Sequence, residues 1–120
     1  MHIIDTCILI DYLRTIPQAK HYLATPIQRA ISIMTWIEIL VGAKSEAETH
    51  FLKQFLQQFQ IIQLDTIISE QAIILRQQHR MRLPDAIIWA TAKVHTAKLV
   101  TRNIKDFSEH HADIYIPYTL

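Results

Sequence analysis

Three acidic side chains of this chain sit in apolar company. Asp5 stands between Ile3-Ile4 and Thr6-Cys7-Ile8-Leu9-Ile10, Glu38 lies inside Trp36-Ile37-Glu38-Ile39-Leu40, and Asp85 leads Ala86-Ile87-Ile88-Trp89-Ala90. A fourth, Asp106, falls in Thr101-Arg102-Asn103-Ile104-Lys105-Asp106-Phe107, directly after an apolar run. Most of the eleven acids lie among polar residues, as solvated acids should. An ionised carboxylate in apolar surroundings is costly unless it is paired, hydrogen-bonded or bound to a metal. Several carboxylates meeting at one point also repel each other. A divalent cation relieves both costs, and a set of hard oxygen ligands suits Mg²⁺ or Mn²⁺ rather than zinc.

Each acid has a plainer use as well. Asp5 would cap a helix beginning at Thr6. Thr35-Trp36-Ile37-Glu38 spells a capping box, in which Glu38 bonds only its own helix start. Asp85, right after Pro84, would complement a helix dipole, and Asn103 with Asp106 reads as a cap and a first-turn acid. All four uses put acids at helix starts, which is also where a site at strand ends would lie. Periodicity alone does not separate the two.

The elements that must hold these residues alternate. Apolar runs at 1–4, 30–34, 61–64, 98–101 and 113–116 read as short strands. Helical spacing is expected over 6–14, 17–24, 35–43, 47–59, 66–79 (with Ile67, Ile68, Ala72, Ile74 and Leu75 inward) and 85–96, with a helical turn at 103–108. Short apolar strands alternating with helices predict an α/β fold with a mostly parallel sheet covered on both faces. Such folds place their sites outside the carboxyl ends of the strands.

Composition removes other chemistry. The 120 residues carry a net charge of +1, and half are hydrophobic against 19% charged, which suits one domain spanning 1–120 with a real core. The single glycine, Gly42, excludes Gly-rich phosphate loops. The single cysteine, Cys7, excludes an internal disulfide and a cysteine-rich zinc site. No apolar stretch is long enough to span a membrane, and no secretory signal is visible at Met1-His2-Ile3-Ile4-Asp5, so the cytoplasm is the expected compartment.

At the acidic positions the sequence resembles the PIN-domain ribonucleases. Ile4-Asp5-Thr6 with Ile8-Leu9-Ile10-Asp11 is similar to their opening motif, and Thr35-Trp36-Ile37-Glu38-Ile39-Leu40-Val41-Gly42 to their second. Leu83-Pro84-Asp85-Ala86-Ile87-Ile88-Trp89-Ala90-Thr91-Ala92 resembles the third, and Val100-Thr101-Arg102-Asn103-Ile104-Lys105-Asp106-Phe107 the fourth. The motifs stand in the family's order, and size and motif style look most like the toxin halves of VapBC-type toxin–antitoxin pairs. The resemblance implies a central parallel sheet of about five strands with helices on both faces. It implies Asp5, Glu38, Asp85 and Asp106 as catalytic residues, with Asp5, Asp85 and Asp106 around one or two Mg²⁺ or Mn²⁺ ions and Thr6, Thr101 and Asn103 as polar support. It also implies RNA cleavage, inhibition of translation, a homodimer, and neutralisation by a small antitoxin whose tail covers the site. One departure stands out: Asn103 occupies a position where many relatives carry an acid.

Cations for an RNA substrate are available in the right segments. Arg80 and Arg82 precede Asp85, Arg102 and Lys105 flank Asn103, and Lys44 follows the helix of Glu38. These would rim a strand-end site and meet phosphates. Phe51, Phe55 and Phe59 repeat at helical spacing, which fits core or dimer contacts rather than base stacking. None of the seven histidines shows a metal-ligand spacing, and His110-His111 reads as a solvated pair. A catalytically silent relative acting as a binding module is one rival. A phosphoacceptor receiver domain, with Asp65 as acceptor, is another; it lacks an acidic pair after the first strand and a lysine near Ile116-Pro117-Tyr118, and leaves Glu38 unexplained.

Overall fold

A computed structural model of the chain describes residues 1–108 and 110–120. Its strands are β1 (His2–Ile4), β2 (Arg29–Ser32), β3 (Gln60–Ile62), β4 (Lys98–Val100) and β5 (Ile114–Tyr115). Its helices are α1 (Thr6–Leu13), α2 (Pro17–Leu23), α3 (Ile33–Val41), α4 (Glu46–Leu56), α5 (Thr66–His79) and α6 (Leu83–Val94). The strands form one five-stranded sheet in the order β3-β2-β1-β4-β5, every neighbouring pair parallel. This is the α/β architecture that the alternating pattern predicts.

Successive strand residues face opposite sides. Ile3, Ala30 and Leu99 face a core built with Ile68, Leu75, Trp89 and Phe107 of α5, α6 and the turn after β4. Ile4, Ile31 and Val100 face a second core built with Ile8, Leu9, Ile39, Leu52 and Leu56 of α1, α3 and α4. Both faces are therefore covered, and the strands read as unbroken apolar runs for that reason.

The order of the sheet fixes where a site can form. The chain moves outward from β1 to β2 and β3, then returns to place β4 on the other side of β1. The switch point of this doubly wound sheet lies between β1 and β4, and the crevice there opens at their carboxyl ends. Asp5 and Thr101, each the residue after its strand, meet at that point.

Some boundaries differ from the sequence reading. The second strand ends at Ser32 instead of 34, because the Ser32 hydroxyl accepts from the Met34 amide at 3.0 Å and starts α3 there. Thr35 is then inside the helix, and Thr35-x-x-Glu38 is not its capping box. The capping serine of α4 is Ser45, whose hydroxyl accepts from the Glu48 amide at 3.1 Å. On α5 only the stripe Ile68, Ala72 and Leu75 is buried; Ile67 and Ile74, expected inward, are exposed because the helix packs along a single line on α6.

Candidate active site

Asp5 leaves β1 and caps α1. Its Oδ1 accepts from the Thr6 amide at 2.8 Å, so the plain capping role is real. The carboxylate does more than cap. Its Oδ2 accepts from the Thr101 hydroxyl at 2.6 Å and lies 3.5 Å from the Cys7 thiol. The Asp5 amide donates to the Val100 carbonyl at 2.8 Å, which ties the start of α1 to the end of β4. Asp5 is only 4% exposed. Burial, reinforced by the nearby negative Asp85, raises its carboxyl to about 6 despite the Thr101, Cys7 and Thr6 hydrogen bonds.

Asp85 sits in the first turn of α6 after Pro84, buried, with Arg82 donating from Nε at 3.2 Å. Burial pushes its carboxyl above the usual range although Arg82 pulls it down, and Asp106 and Glu38 add to the rise. Glu38 reaches the same place from the middle of α3. Its Oε1 accepts from the Thr6 hydroxyl at 2.7 Å, and that hydroxyl is also 3.1 Å from the Thr35 hydroxyl. Asp5, Thr6, Cys7, Glu38, Arg82, Asp85 and Asn103 line one cavity of about 180 Å³.

The fourth motif contributes differently. Asn103 lines the cavity, its amide donating to the Thr101 hydroxyl at 3.0 Å. Asp106 lies on an exposed turn outside the cavity lining, its Oδ2 accepting from Asn103 Nδ2 at 2.7 Å. Its closeness is felt as charge on Asp85 rather than as a wall of the pocket.

Of the expected cations, only Arg82 is at the cavity. Arg80 is an exposed residue with φ of 52°, ending α5, and Lys105 is exposed on the turn. Arg102 departs from the expected phosphate contact: its guanidinium is bound to Asp11 from Nε at 2.5 Å and Nη2 at 2.9 Å. Lys44 borders a neighbouring groove of about 490 Å³ that runs past Glu38 between α1, α3 and α4, with Phe51 exposed on its wall. Phe59 is in the core, and Phe55 stacks on Tyr12. His110 is exposed, whereas His111 packs against Trp89 and His79 instead of being a solvated pair member. Asp65 spends its carboxylate capping α5 through the Ile68 amide at 2.8 Å.

The composition of the cavity suits a hard divalent cation. Beside the Cys7 thiol and the Arg82 guanidinium it presents carboxylate, hydroxyl and amide oxygens, and burial together with neighbouring carboxylates holds two of its carboxyls above their normal range. Among the described residues no group of three Asp, Glu, His or Cys side chains closes around one point. A cation held through one or two carboxylates and several waters needs no such cage, which is how Mg²⁺ is commonly bound. Asp5 and Asp85 are the residues that would hold it.

Asp11, part of the opening motif but given no role there, has one here. It is 2% exposed and receives Arg102 together with the Tyr118 hydroxyl at 2.8 Å, and its carboxyl is held below the usual range by these partners. Its setting, Leu9-Ile10-Asp11-Tyr12-Leu13, carries the same signal as that of Asp5.

The family model of the PIN domain matches residues 2–111. The chain belongs to the PIN domain family. A chain of a toxin–antitoxin complex from Klebsiella pneumoniae is 41% identical to this PIN domain, each chain covered over 100% of its length, with a TM-score of 0.91. The fold is shared at lower identity by FitAcB from Neisseria gonorrhoeae (22%, 100% of both chains, TM-score 0.81). It is shared too by VapBC2 from Rickettsia felis, solved bound to a DNA fragment from their promoter (21%, 94% of each chain, TM-score 0.78). A search of the curated proteins gives no match. The family is the one that the four motifs resemble.

Proposed function

We propose that this PIN domain, one unit over 1–120, is a Mg²⁺- or Mn²⁺-dependent endoribonuclease and the toxin half of a toxin–antitoxin pair. The observation that carries the reading is the convergence of Asp5, Asp85 and Glu38, from three different elements, on one oxygen-lined cavity at the switch point of the sheet. The toxin–antitoxin relative at 41% identity supports the biological role. No helix is long and apolar enough to cross a membrane among the described residues, and action on cytoplasmic RNA, with arrest of translation, follows from the role.

A bound divalent ion supplies activation of water and neutralisation of charge at a scissile phosphate. The protein supplies the rest. Asp5 and Asp85 would be the ion's carboxylate ligands, with Asn103 on the same wall and Asp106, which Asn103 Nδ2 bonds, as an outer negative charge. The Thr101 hydroxyl fixes the Asp5 rotamer, and Thr6 fixes Glu38. Glu38, half-buried with one oxygen held, orients a water and accepts its proton. Arg82, at the cavity and largely exposed, is the cation placed to meet a substrate phosphate. Attack by water leaves a 5′-phosphate and a 3′-hydroxyl, and the ribose 2′-hydroxyl is not consumed. Arg80 and Lys105, both exposed, add phosphate contacts further out. The groove beside Glu38, with Lys44 and exposed Phe51, receives the tail of a small antitoxin, and the toxin acts as a homodimer.

The test is RNA cleavage with Mg²⁺ and with Mn²⁺ by wild type and Asp5→Ala, alongside growth on induction. Wild type is expected to cleave and to arrest growth, and Asp5→Ala to do neither. An Asp5→Ala protein that degrades RNA as fast as wild type sinks the reading. A wild type inert with both ions leaves a binding module in its place.

A further inference from the structure

We infer that Asp11, Arg102 and Tyr118 form a clamp that positions the metal-binding side of the site, and that Arg102 serves this clamp rather than the substrate. The inference rests on the metal-site reading given above and adds residues that reading does not use.

The segment 101–106 leaves β4 without entering a helix or strand, yet it carries Thr101, which holds Asp5, and Asn103, which lines the cavity. Arg102 lies between them. Its side chain turns away from the cavity and grips Asp11 with two parallel hydrogen bonds, at 2.5 and 2.9 Å. That fork is the geometry in which a guanidinium fixes direction as well as distance. Asp11 is on α1, the helix that Asp5 caps, so the residue that starts the helix and the residue that anchors the loop belong to one rigid rod. The Tyr118 hydroxyl donates to Asp11 Oδ2 at 2.8 Å and closes the third side from the segment after β5. Three separate pieces of chain thus meet at one carboxylate that is 2% exposed.

Such a pair is a poor device for stability alone. Burying a carboxylate with a guanidinium costs desolvation that the attraction roughly cancels. Its distinct effect is to specify one arrangement: with α1 and the loop locked together, the Thr101 hydroxyl stays at 2.6 Å from Asp5, and Asn103 stays at the cavity wall. Loss of supporting partners of this kind typically weakens metal binding about 10- to 100-fold.

The experiment compares wild type, Asp11→Asn, Arg102→Lys, Tyr118→Phe and Asp5→Asn, each well below its own melting temperature. Mn²⁺ affinity is read by calorimetry on the metal-free protein, and kcat and KM on a fluorescent RNA oligonucleotide. Asp11→Asn and Arg102→Lys are expected to bind Mn²⁺ at least about tenfold more weakly and to lose kcat in proportion, with KM for RNA little changed. Tyr118→Phe, which deletes one hydroxyl and leaves the charge pair, is expected to lose about threefold in the same two quantities. Asp5→Asn is the control: if it binds Mn²⁺ and cleaves RNA as wild type does, the metal-site reading itself fails. If Asp5→Asn is dead while Asp11→Asn and Tyr118→Phe match wild type in Mn²⁺ affinity and kcat, the clamp fails alone. A rise in KM confined to Arg102→Lys, with Mn²⁺ affinity intact, overturns it in favour of a phosphate contact.

Discussion

At the scale of single residues, the Asp5 carboxylate is held against its own chemistry. It is buried, it faces another carboxylate, and its strongest support is one hydroxyl from a residue 96 positions away. Thr101→Val keeps the shape of that side chain and deletes the bond, together with the acceptor of the Asn103 amide. The buried acceptor then goes short of a donor, and the cost is expected to be about 1–3 kcal/mol at neutral pH. Without Thr101 the Asp5 carboxyl rises still further, so the cost should be smaller near pH 5, where the group is largely protonated. Urea unfolding of both proteins at the two pH values checks this, and equal losses at both would contradict it. Sequence alone could flag Asp5, because a carboxylate beside Ile3-Ile4 is conspicuous. It could not supply Thr101 as its partner except through resemblance, and although it placed Asp11 in the opening motif it could not supply that residue's partners, because Arg102 and Tyr118 lie 91 and 107 positions further along the chain.

At the scale of elements, the strand-to-helix order was legible and the junctions were not. Ala30-Ile31-Ser32-Ile33-Met34 is apolar on both sides of the boundary, so nothing in its periodicity says where β2 becomes α3. The Ser32 hydroxyl decides it, two residues earlier than the apolar run suggests. That shift matters for function, because it releases Glu38 from any capping duty and leaves it on the helix flank beside Thr6. Two substitutions separate the roles. Ser32→Ala removes the cap and should cost about 1 kcal/mol of stability. Glu38→Gln keeps an acceptor for Thr6 and should change stability by no more than about 0.5 kcal/mol, as a substitution that creates no cavity or strain does. On its proposed role as general base, the same Glu38→Gln protein is expected to lose about 100-fold or more in RNA cleavage. Thermal unfolding and cleavage rates measured on the two proteins give a crossed pattern; a large stability loss in Glu38→Gln would restore the capping role. The α5 faces differ from expectation for a related reason: Ile67 and Ile74 have core composition, but the residues α5 buries are Ile68, Ala72 and Leu75.

At the scale of the whole molecule, the order β3-β2-β1-β4-β5 gathers Asp5, Glu38 and Asp85 from far along the chain. No local pattern encodes that order; it follows from packing helices on both faces of one sheet with β4 returning beside β1. Gathering these acids makes stability depend on pH and, through the proposed metal site, on cations. The folded-state carboxyl of Asp5, at about 6, lies above its value of 3.8 in the unfolded chain, so the folded state holds a proton that the unfolded state has lost. Its contribution is therefore full below pH 3.8 and falls away as pH rises to 6, by about 3 kcal/mol for a shift of this size. Asp85, also raised, acts in the same sense. Asp11 and Asp113 are held low by Arg102 and Tyr118 and by Trp89 and Lys93, so their contribution is lost only as pH falls below the ordinary carboxylate range. His2 opposes Asp5: burial keeps its imidazole below 6.5, so its support is lost as pH falls beneath that value. The ion's effect isolates Asp5 from these other groups. On the proposed metal site, Mn²⁺ would bind the folded state and stabilise it by RT ln(1 + [Mn²⁺]/Kd), about 2.7 kcal/mol at a hundredfold excess over Kd. At pH 5 that binding must first expel the Asp5 proton, whereas at pH 7.5 the carboxylate is already charged and strained by its surroundings. The rise in melting temperature on adding Mn²⁺ is accordingly expected to be larger at pH 7.5 than at pH 5, and to vanish at both in Asp5→Asn. Calorimetric melts with EDTA and with Mn²⁺ at each pH measure it, and an increment that is larger in acid, or that survives Asp5→Asn, would place the cation elsewhere in the molecule.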